Sequence, residues 1–205
     1  MALADKRSDP AEIRSIDRSM HVVGSIIARL GSKRLPFKNL LPFAGKPLVG
    51  LGVETLRRAR LVNEIVVSTE SELIARVARD FGATVLRRPE ALAEDNVPSV
   101  PVFQHVVANH PCDVHVNFNI NFPVCDPAVL DRAVQLAWEK GEALSVPFAA
   151  WAQTAVRLRD YGDPWAPEKK AYLFHDARAG TTDVHTMDDL LQVYREVHGP
   201  LPEWV

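Results

Sequence analysis

Hydrophobic and polar positions along this chain change their spacing in a regular order, which predicts strands and helices in alternation. Short apolar runs between turn residues predict strands at 21–28, 64–69, 83–87, 113–118, 143–149 and 170–175. Apolar residues spaced three or four apart predict helices at 47–60, 70–81, 98–109, 127–140 and 186–198. In the second of these helices the apolar face runs from Leu73 to Phe81, and Gly82 is expected to end it.

This alternation determines the expected fold class. Strands and helices that alternate in sequence imply right-handed crossovers and a mostly parallel sheet with helices on both faces. We therefore expect an α/β protein with three α/β/α layers. Ligands of such sheets bind beyond the carboxyl ends of the strands, so the loops that follow the strands are the candidate site.

Composition agrees with one folded domain and disfavours several classes of protein. The chain has 205 residues, 47% of them hydrophobic, and no linker or repeat divides residues 21–205. Residues 1–20 are too charged for a signal peptide and are expected to be a flexible extension. A net charge of −2 argues against nucleic-acid binding, and no apolar run is long enough for a membrane span. Cys112 and Cys125 have no C-x-x-C spacing, which suits reduced thiols and a cytoplasmic location.

The most informative segment is the loop at 28–39, ARLGSKRLPFKN, directly after the first predicted strand. It holds four cations within ten positions: Arg29, Lys33, Arg34 and Lys38. Cations and backbone amides that converge in this way can bind a polyanion such as a triphosphate. A solvated basic loop is the alternative interpretation. No G-x-x-x-x-G-K-[ST] or G-x-G-x-x-G motif occurs, so neither a P-loop NTPase nor a dinucleotide-binding protein is favoured.

Four segments in order resemble the CMP-sugar synthetases, that is, the acylneuraminate and 3-deoxy-manno-octulosonate cytidylyltransferases. They are ARLGSKRLPFKN at 28–39, EIVVST at 64–69, LRRPEALAED at 86–95 and TDVHTMDDL at 182–190. The resemblance implies a nucleotidyltransferase fold, similar to that of GT-A glycosyltransferases. It also implies transfer of CMP from CTP to a small anionic acceptor with release of pyrophosphate, a Mg²⁺ or Mn²⁺ cofactor, and a homodimer.

The resemblance also assigns site residues. Arg29, Lys33 and Lys38 would hold phosphates as the catalytic cations, and Asn39 would touch the ribose or the acceptor, while Arg34 is equally well a solvated side chain. Other nucleotide contacts are expected from the cytosine-reading side chains, nearby backbone groups and two polar side chains: Arg88, Ser99, Ala28, Val97, Ser32 and Asn119. Asp95 is expected to cap the turn before the helix at 98.

Two departures from the family pattern fall on its metal site. Asn121 stands where one branch has a metal-binding aspartate, and an amide brings no charge to magnesium, so we assign Asn121 to the acceptor. His185 replaces the second of two aspartates, and strand alternation would put Asp183 and His185 on one face. We expect Asp183 to bind the metal with His185 beside it, and imidazole would shift the preference towards manganese or cobalt.

The third departure is the segment at 145–178, which lacks the family's recognisable acceptor motif. Arg157 and Arg159 are candidates for gripping an anionic acceptor if they lie on one face of a strand. They would equally suit an exposed edge strand. The acceptor therefore stays open between a sugar acid, such as a nonulosonate or octulosonate, and a phosphonate or another small anion.

Three functional hypotheses remain open at this point. The first is an active CTP-dependent cytidylyltransferase. The second is a nucleotide-binding relative with weakened catalysis, acting as a binding or regulatory module, because Asn121 and His185 both replace carboxylates. The third is a nucleotidyltransferase, or a GT-A transferase, that uses another nucleotide.

Overall fold

The computed structural model describes residues 20–199. The expected flexible extension at 1–20 lies, except for Met20, outside these described residues. The strands of the described part are β1 (Val22–Ile27), β2 (Pro42–Phe43), β3 (Lys46–Pro47), β4 (Glu64–Thr69), β5 (Thr84–Arg87), β6 (Val114–Phe118), β7 (Glu142–Val146), β8 (Ala150–Thr154) and β9 (Tyr172–His175). The α-helices are α1 (Leu48–Arg58), α2 (Glu72–Asp80), α3 (Ser99–Asn109), α4 (Pro127–Lys140), α5 (Ala155–Arg159) and α6 (Met187–His198).

Seven of these strands form one sheet in the order β5-β4-β1-β6-β8-β7-β9, while β2 and β3 form a separate small hairpin. Strand β8 runs antiparallel to both of its neighbours, and the other neighbouring pairs are parallel. Helices α1, α2 and α4 pack on one face of the sheet, and α3 and α5 pack on the other. The predicted three-layer α/β class with a mostly parallel sheet is confirmed.

The five predicted helices are present, and local signals explain their ends. Helix α2 begins after Ser71, whose hydroxyl accepts from the Ile74 amide, and it ends before Gly82, which has a left-handed φ of 79°. Helix α6 begins with a capping box formed by Thr186 and Asp189. The apolar face predicted for α2 was partly wrong, because Leu73 is 57% exposed.

The prediction of one strand at 143–149 was wrong. Strand β7 ends at Val146, the chain turns back, and β8 returns as the antiparallel neighbour of β6. The apolar character continues across 143–152, and the turn contains Pro147 but neither glycine nor asparagine, so the usual hairpin signal is missing. Helix α5, which follows β8 directly, was also not predicted.

The loop after β1 is held in place by α6. A separate apolar cluster joins residues of the loop and of helix α1 with residues from the end of the described chain: Leu35, Phe43, Leu48, Val184, Leu190 and Val193. This packing brings the basic loop and the 183–185 segment to the same edge of the sheet, although they are about 150 positions apart in sequence. Within residues 20–199, no helix combines the length and the apolar character that crossing a membrane would require.

Candidate active site

A cavity of about 600 Å³ opens beyond the carboxyl ends of β1 and β6, the place where such sheets bind ligands. It is lined by Ile27, Arg29, Ser32, Lys33, Arg34, Lys38, Asn39, Asp95, Ser99, Asn117, Phe118, Asn119, Ile120, Asn121, Phe148 and His185. The charged members come from the basic loop and from Asp95. The wall around Ile27, Ser99 and Asn117 is uncharged.

Many of the predicted site residues therefore meet at one cavity. Those that line it are Arg29, Ser32, Lys33, Lys38, Asn39, Ser99, Asn119, Asn121 and His185, together with Arg34. Those that are not part of its lining are Ala28, Arg88, Val97, Asp183, Arg157 and Arg159. The nucleotide and acceptor roles of all these residues stay predictions, and their surroundings decide how well each prediction fits.

Arg29 and Lys33 share one partner, the carboxylate of Asp95. Asp95 is 38% exposed, and hydrogen bonds from Lys33 and Arg29 lower the pKa of its carboxyl below the usual value. The expected capping role of Asp95 was wrong, because α3 begins after Pro98 with no side-chain cap. Two cations close by attract this carboxylate more strongly than a helix end would.

Lys38 lies deeper than the other two phosphate-binding candidates. Its Nζ donates to Asn121 Oδ1 at 2.5 Å and to the Val184 carbonyl at 3.3 Å. Burial lowers the pKa of Lys38 to about 8, an effect that Asp183 partly opposes. The ammonium therefore has uncharged partners and is poorly solvated, and both conditions favour an incoming anion.

Asn39 is the residue that shapes the basic loop. It is 8% exposed and its Nδ2 donates to the Arg29 carbonyl at 2.8 Å, across the width of the loop. The turn that brings it there passes through Phe37, which has a left-handed φ of 55°. The contact fixes Arg29 in place, so Asn39 supports the cations whether or not it also touches a ribose.

The groups predicted to read the base differ in how accessible they are. Ser99 is the first residue of α3 and lines the cavity, so the positive dipole end of this helix lies beside the cavity. The backbone amides of Ala28 and Val97 are already used, by the Ser68 carbonyl at 3.1 Å and the Glu94 carbonyl at 3.3 Å. Only the carbonyl oxygens of Ala28 and Val97 remain for a ligand.

Arg88 is 4% exposed and directly follows β5, beside the carboxyl end of β4. Its Nε donates to Ser68 Oγ at 3.2 Å and its terminal nitrogen to the Ser68 carbonyl at 2.5 Å. Burial lowers the pKa of this guanidinium to about 10, and Glu70 partly opposes the shift. These contacts hold Arg88 against Ser68, and Arg88 is not part of the cavity lining, so its predicted contact with cytosine stays a prediction.

Asp183 and His185 are neighbours, but not for the predicted reason. They lie in an irregular segment before α6 and not on a strand, and His185 Nε2 is 3.0 Å from Asp183 Oδ1. Arg34 lies 2.7 Å from His185 Nδ1, and a guanidinium can only donate, so Nδ1 accepts and Nε2 carries the proton. Asn121 Nδ2 also donates to Asp183 Oδ1, at 2.9 Å. In the described part of the chain, Asp183 Oδ2 has no hydrogen-bond partner.

The two arginines assigned to the acceptor are not on a strand. Both lie on helix α5, and Arg157 Nε donates at 3.2 Å to Glu142, which is 1% exposed at its side chain. Glu142 also accepts from Trp151 Nε1 at 2.7 Å and from the Tyr161 hydroxyl at 2.5 Å. Arg157 is thus one member of a structural cluster. Arg159 is exposed, and alternation along a strand no longer brings the two side chains together.

Sequence reasoning did not assign five residues that line the cavity: Ile27, Asn117, Phe118, Ile120 and Phe148. Two of them, Asn117 and Phe148, contribute polar atoms near the site. Asn117, on β6, is 5% exposed, and the alternation of polar His115 and Asn117 with apolar residues in a buried strand is the signal that could have identified it. Phe148 comes from the turn between β7 and β8, where its carbonyl accepts from Asn119 Nδ2 at 3.0 Å. Without the hairpin in the prediction, Phe148 could not be placed at the cavity.

Comparison with known proteins places this architecture among related chains. The family model described as cytidylyltransferase matches residues 23–191. N-acylneuraminate cytidylyltransferase A of Danio rerio is 34% identical over 125 residues, which are 60% of this chain and 29% of that protein. The 3-deoxy-manno-octulosonate cytidylyltransferase of Geobacter sulfurreducens is 35% identical over 115 residues, 56% of this chain and 44% of that protein. The chain thus matches less than half the length of either relative.

Solved structures show the same fold at low sequence identity. CMP:2-keto-3-deoxy-manno-octonic acid synthetase complexed with CTP superposes with a TM-score of 0.71 and 16% identity, covering 86% of this chain and 98% of that one. A nucleotidyl transferase from Methanothermobacter thermautotroptrophicus superposes with a TM-score of 0.71 and 18% identity, covering 87% of this chain and 97% of that one. The fold is therefore that of the nucleotidyltransferases. Because the family match spans most of the chain, this protein belongs to the cytidylyltransferase family.

Proposed function

We propose that this protein is a CTP-dependent cytidylyltransferase that transfers CMP to a small anionic acceptor, such as a sugar acid or a phosphonate, and releases pyrophosphate. One observation carries the proposal: Arg29, Lys33 and Lys38, all from one loop, line a single cavity at the carboxyl end of β1. Relatives that are named as cytidylyltransferases for acylneuraminate and octulosonate support the choice of CTP and of a sugar acid.

The reaction needs positive charge where the triphosphate divides. An acceptor oxygen attacks the α-phosphorus, the bond from that phosphorus to the bridging oxygen breaks, and pyrophosphate leaves with the electron pair. Arg29 and Lys33 are exposed enough to reach the outer phosphates, whereas Lys38 lies nearer the cavity floor. These cations would stabilise the charge that develops on the leaving group.

A divalent ion, Mg²⁺ or Mn²⁺, is part of the proposal, and the donor atoms set limits on how it binds. Within residues 20–199, no group of three histidine, cysteine or acidic side chains is arranged to hold a metal ion. Magnesium at phosphate-transfer sites is often bound by one or two carboxylates plus substrate phosphates and water. Asp183, with its free Oδ2, fits an ion that arrives with CTP, with His185 and Asn121 beside it. Such an ion would neutralise charge on the triphosphate.

The same donor set favours one second candidate, a nucleotide-binding relative with weakened catalysis. Asn121 and His185 supply neutral groups, and Asn121 Oδ1 is already occupied by Lys38. A site with one available carboxylate would hold a metal less firmly than a site with two. In that case nucleotide binding would persist while turnover was low.

Pyrophosphate release tests these candidates together. The protein is incubated with CTP, UTP, ATP or GTP, with Mg²⁺, Mn²⁺ or EDTA, and with a panel of sugar acids and phosphonates. We expect release that depends on CTP, a divalent ion and an anionic acceptor. Binding of CTP in calorimetry without release in any mixture would favour the weakened relative. Preference for another nucleotide, or no nucleotide binding, would contradict the proposal.

Two further expectations belong to the same proposal. A homodimer is expected from the family, and light scattering of the purified chain would measure its mass in solution. A cytoplasmic location is expected because Cys112 and Cys125 are both free thiols, as is usual in a reducing compartment. Localisation of a tagged full-length protein would check it.

A further inference from the structure

Asn117 is the last residue but one of strand β6, lines the cavity, and has only half of its side-chain amide satisfied. Its side chain is 5% exposed, and its Oδ1 accepts from the Ser25 hydroxyl at 3.3 Å. Among residues 20–199, Asn117 Nδ2 has no hydrogen-bond partner. Because Oδ1 is turned to Ser25, Nδ2 is the end left for the cavity. An unpaired amide N–H is costly unless a ligand or water completes it.

Behind Asn117 lies a chain of buried polar side chains on three neighbouring strands. Ser25 Oγ is 2.7 Å from His115 Nε2, and His115 Nδ1 is 3.3 Å from Gln153 Oε1. Strand register makes Ser25 the partner of Asn117 and His115 the partner of Gln153. Phe103 covers the His115 ring, with ring centroids 4.8 Å apart. The chain is therefore closed off from water except where Asn117 reaches the cavity.

The number of protons that Ser25 and His115 can donate within this hydrogen-bonded row of side chains is fixed. Burial lowers the pKa of His115 to about 4, so the ring is neutral and carries one N–H. The Ser25 hydroxyl also has one proton. Each can donate only once, so the direction of donation at one end of the chain determines the direction at the other end.

Two consistent orders exist. In the first order, Ser25 donates to Asn117 Oδ1 and His115 Nε2–H donates to Ser25. His115 Nδ1 then has no proton, and it accepts from Gln153 Nε2 after the side-chain amide of Gln153 has rotated by about 180°. In the second, His115 Nδ1–H donates to Gln153 Oε1 and Ser25 donates to His115. Ser25 then has no proton for Asn117, whose amide must reverse and present Oδ1 to the cavity.

Each order requires one amide to be turned: Asn117 has its oxygen facing Ser25, which suits the first order, and Gln153 has its oxygen facing His115, which suits the second. Gln153 Nε2 decides between them, because it is buried without a hydrogen-bond partner in the described structure and the first order gives that nitrogen an acceptor. The unpaired atom that then remains is a carbonyl oxygen, which is more readily tolerated than an unpaired N–H. Asn117 thus presents an N–H donor to an uncharged wall of the cavity.

We propose that Asn117 is a base-specificity residue whose donor end is held towards the cavity by Ser25, His115 and Gln153. The inference rests on the proposed function and deepens it. The charged groups of the cavity lie elsewhere, so the wall at Asn117 suits the nucleoside and not the phosphates. Cytosine has a bare N3 that accepts a hydrogen bond, whereas uracil carries N3–H at the same place. A donor at Asn117 therefore selects cytosine and rejects uracil.

The test is the ratio of the dissociation constants for UTP and CTP, measured by calorimetry. In Asn117→Asp the added negative charge weakens both nucleotides alike, so this effect cancels in the ratio, while loss of the donor lowers the ratio roughly tenfold. Ser25→Ala frees the amide to turn and should also lower the ratio, with the native circular dichroism spectrum retained. Thr55→Val, which removes a buried hydroxyl on α1, is the matched control and should leave the ratio unchanged.

The outcomes separate this inference from the proposed function. If the unmodified protein binds neither nucleotide, both fail. If it prefers CTP and both Asn117→Asp and Ser25→Ala keep that preference, only the inference is overturned. Equal weakening of CTP and UTP in both variants would assign Asn117 to the ribose or to structure and would also overturn it.

Discussion

Two cation-rich segments, the loop at 28–39 and helix α5 with the residues after it, have similar sequence character but different surroundings. Arg29 and Lys33 pair with Asp95, which is exposed, beside an open cavity. Arg157 pairs with Glu142, which is buried and bonded to two further side chains. An exposed ion pair is weak and can be displaced by a stronger anion, whereas breaking a buried pair is costly. The partner of a cation, and not its presence, decides whether a ligand can use it.

The largest effect is expected from neutralising the loop. In the double variant Arg29→Gln/Lys33→Gln, two of the three cations that we propose to bind the triphosphate are lost, so we expect turnover with CTP to fall about 10³-fold. Initial rates of pyrophosphate release measure it. The double variant Arg76→Gln/Arg79→Gln, on the exposed face of α2, removes two positive charges away from the cavity and is the charge-matched control. Unchanged turnover in Arg29→Gln/Lys33→Gln would contradict the view that the loop at 28–39 binds the ligand whereas the cations of α5 are structural.

The second effect concerns the stability of the protein. Glu142→Ala leaves Arg157 without its carboxylate and removes the acceptor of Trp151 and Tyr161, so we expect a loss of about 3 kcal/mol in the free energy of unfolding. Urea denaturation measures it, with the exposed Glu139→Ala as control. If Arg157 binds the acceptor instead, Arg157→Ala would raise the KM for the acceptor and leave the unfolding midpoint unchanged. We expect the reverse pattern.

The third prediction concerns Lys38, whose ammonium group has no carboxylate bonded to it. Lys38, with a pKa of about 8 in the free protein, is charged below that pH and loses its proton above it. CTP affinity should therefore be flat up to about pH 8 and then fall by up to about tenfold per pH unit. Calorimetry between pH 6.5 and 9.5 measures this. Lys38→Arg should bind CTP with a flat profile, and an unmodified protein with the same flat profile would contradict the prediction.

The two segments also show what the sequence could predict. The strand, loop and helix around 28–39 were predictable because each boundary has a local signal and the four cations are close in sequence. The hairpin of β7 and β8 was not predictable, because its turn lacks glycine and asparagine and mostly apolar residues continue through it from 143 to 152. Glu142, Trp151 and Tyr161 come together only through that hairpin, so the structural role of Arg157 had no local signal.

Contacts between distant residues at the cavity were also not predictable from the sequence. Arg34 and His185 lie 151 positions apart in sequence, and their contact depends on how α6 packs on the loop after β1. Asp183 and His185 were predicted to be neighbours through strand alternation, and they are neighbours through a different backbone conformation. Asp95 was predicted to be a capping residue because it precedes a helix, whereas its partners Arg29 and Lys33 come from another loop. Pairings of distant residues follow from tertiary packing, which single-sequence patterns do not contain.

The smallest effect is expected at Asp95, and it tests the comparison most directly. If Asp95 is a displaceable counter-ion, Asp95→Asn removes a competitor of the phosphates, and CTP should bind about threefold more tightly. The change should shrink as salt rises from 50 to 500 mM, since screening weakens exposed pairs. Glu94→Gln, which removes the neighbouring charge, should have a smaller effect. Weaker CTP binding in Asp95→Asn would mean that Asp95 holds Arg29 and Lys33 in their working positions, and the two ion pairs would then differ less than their burial suggests.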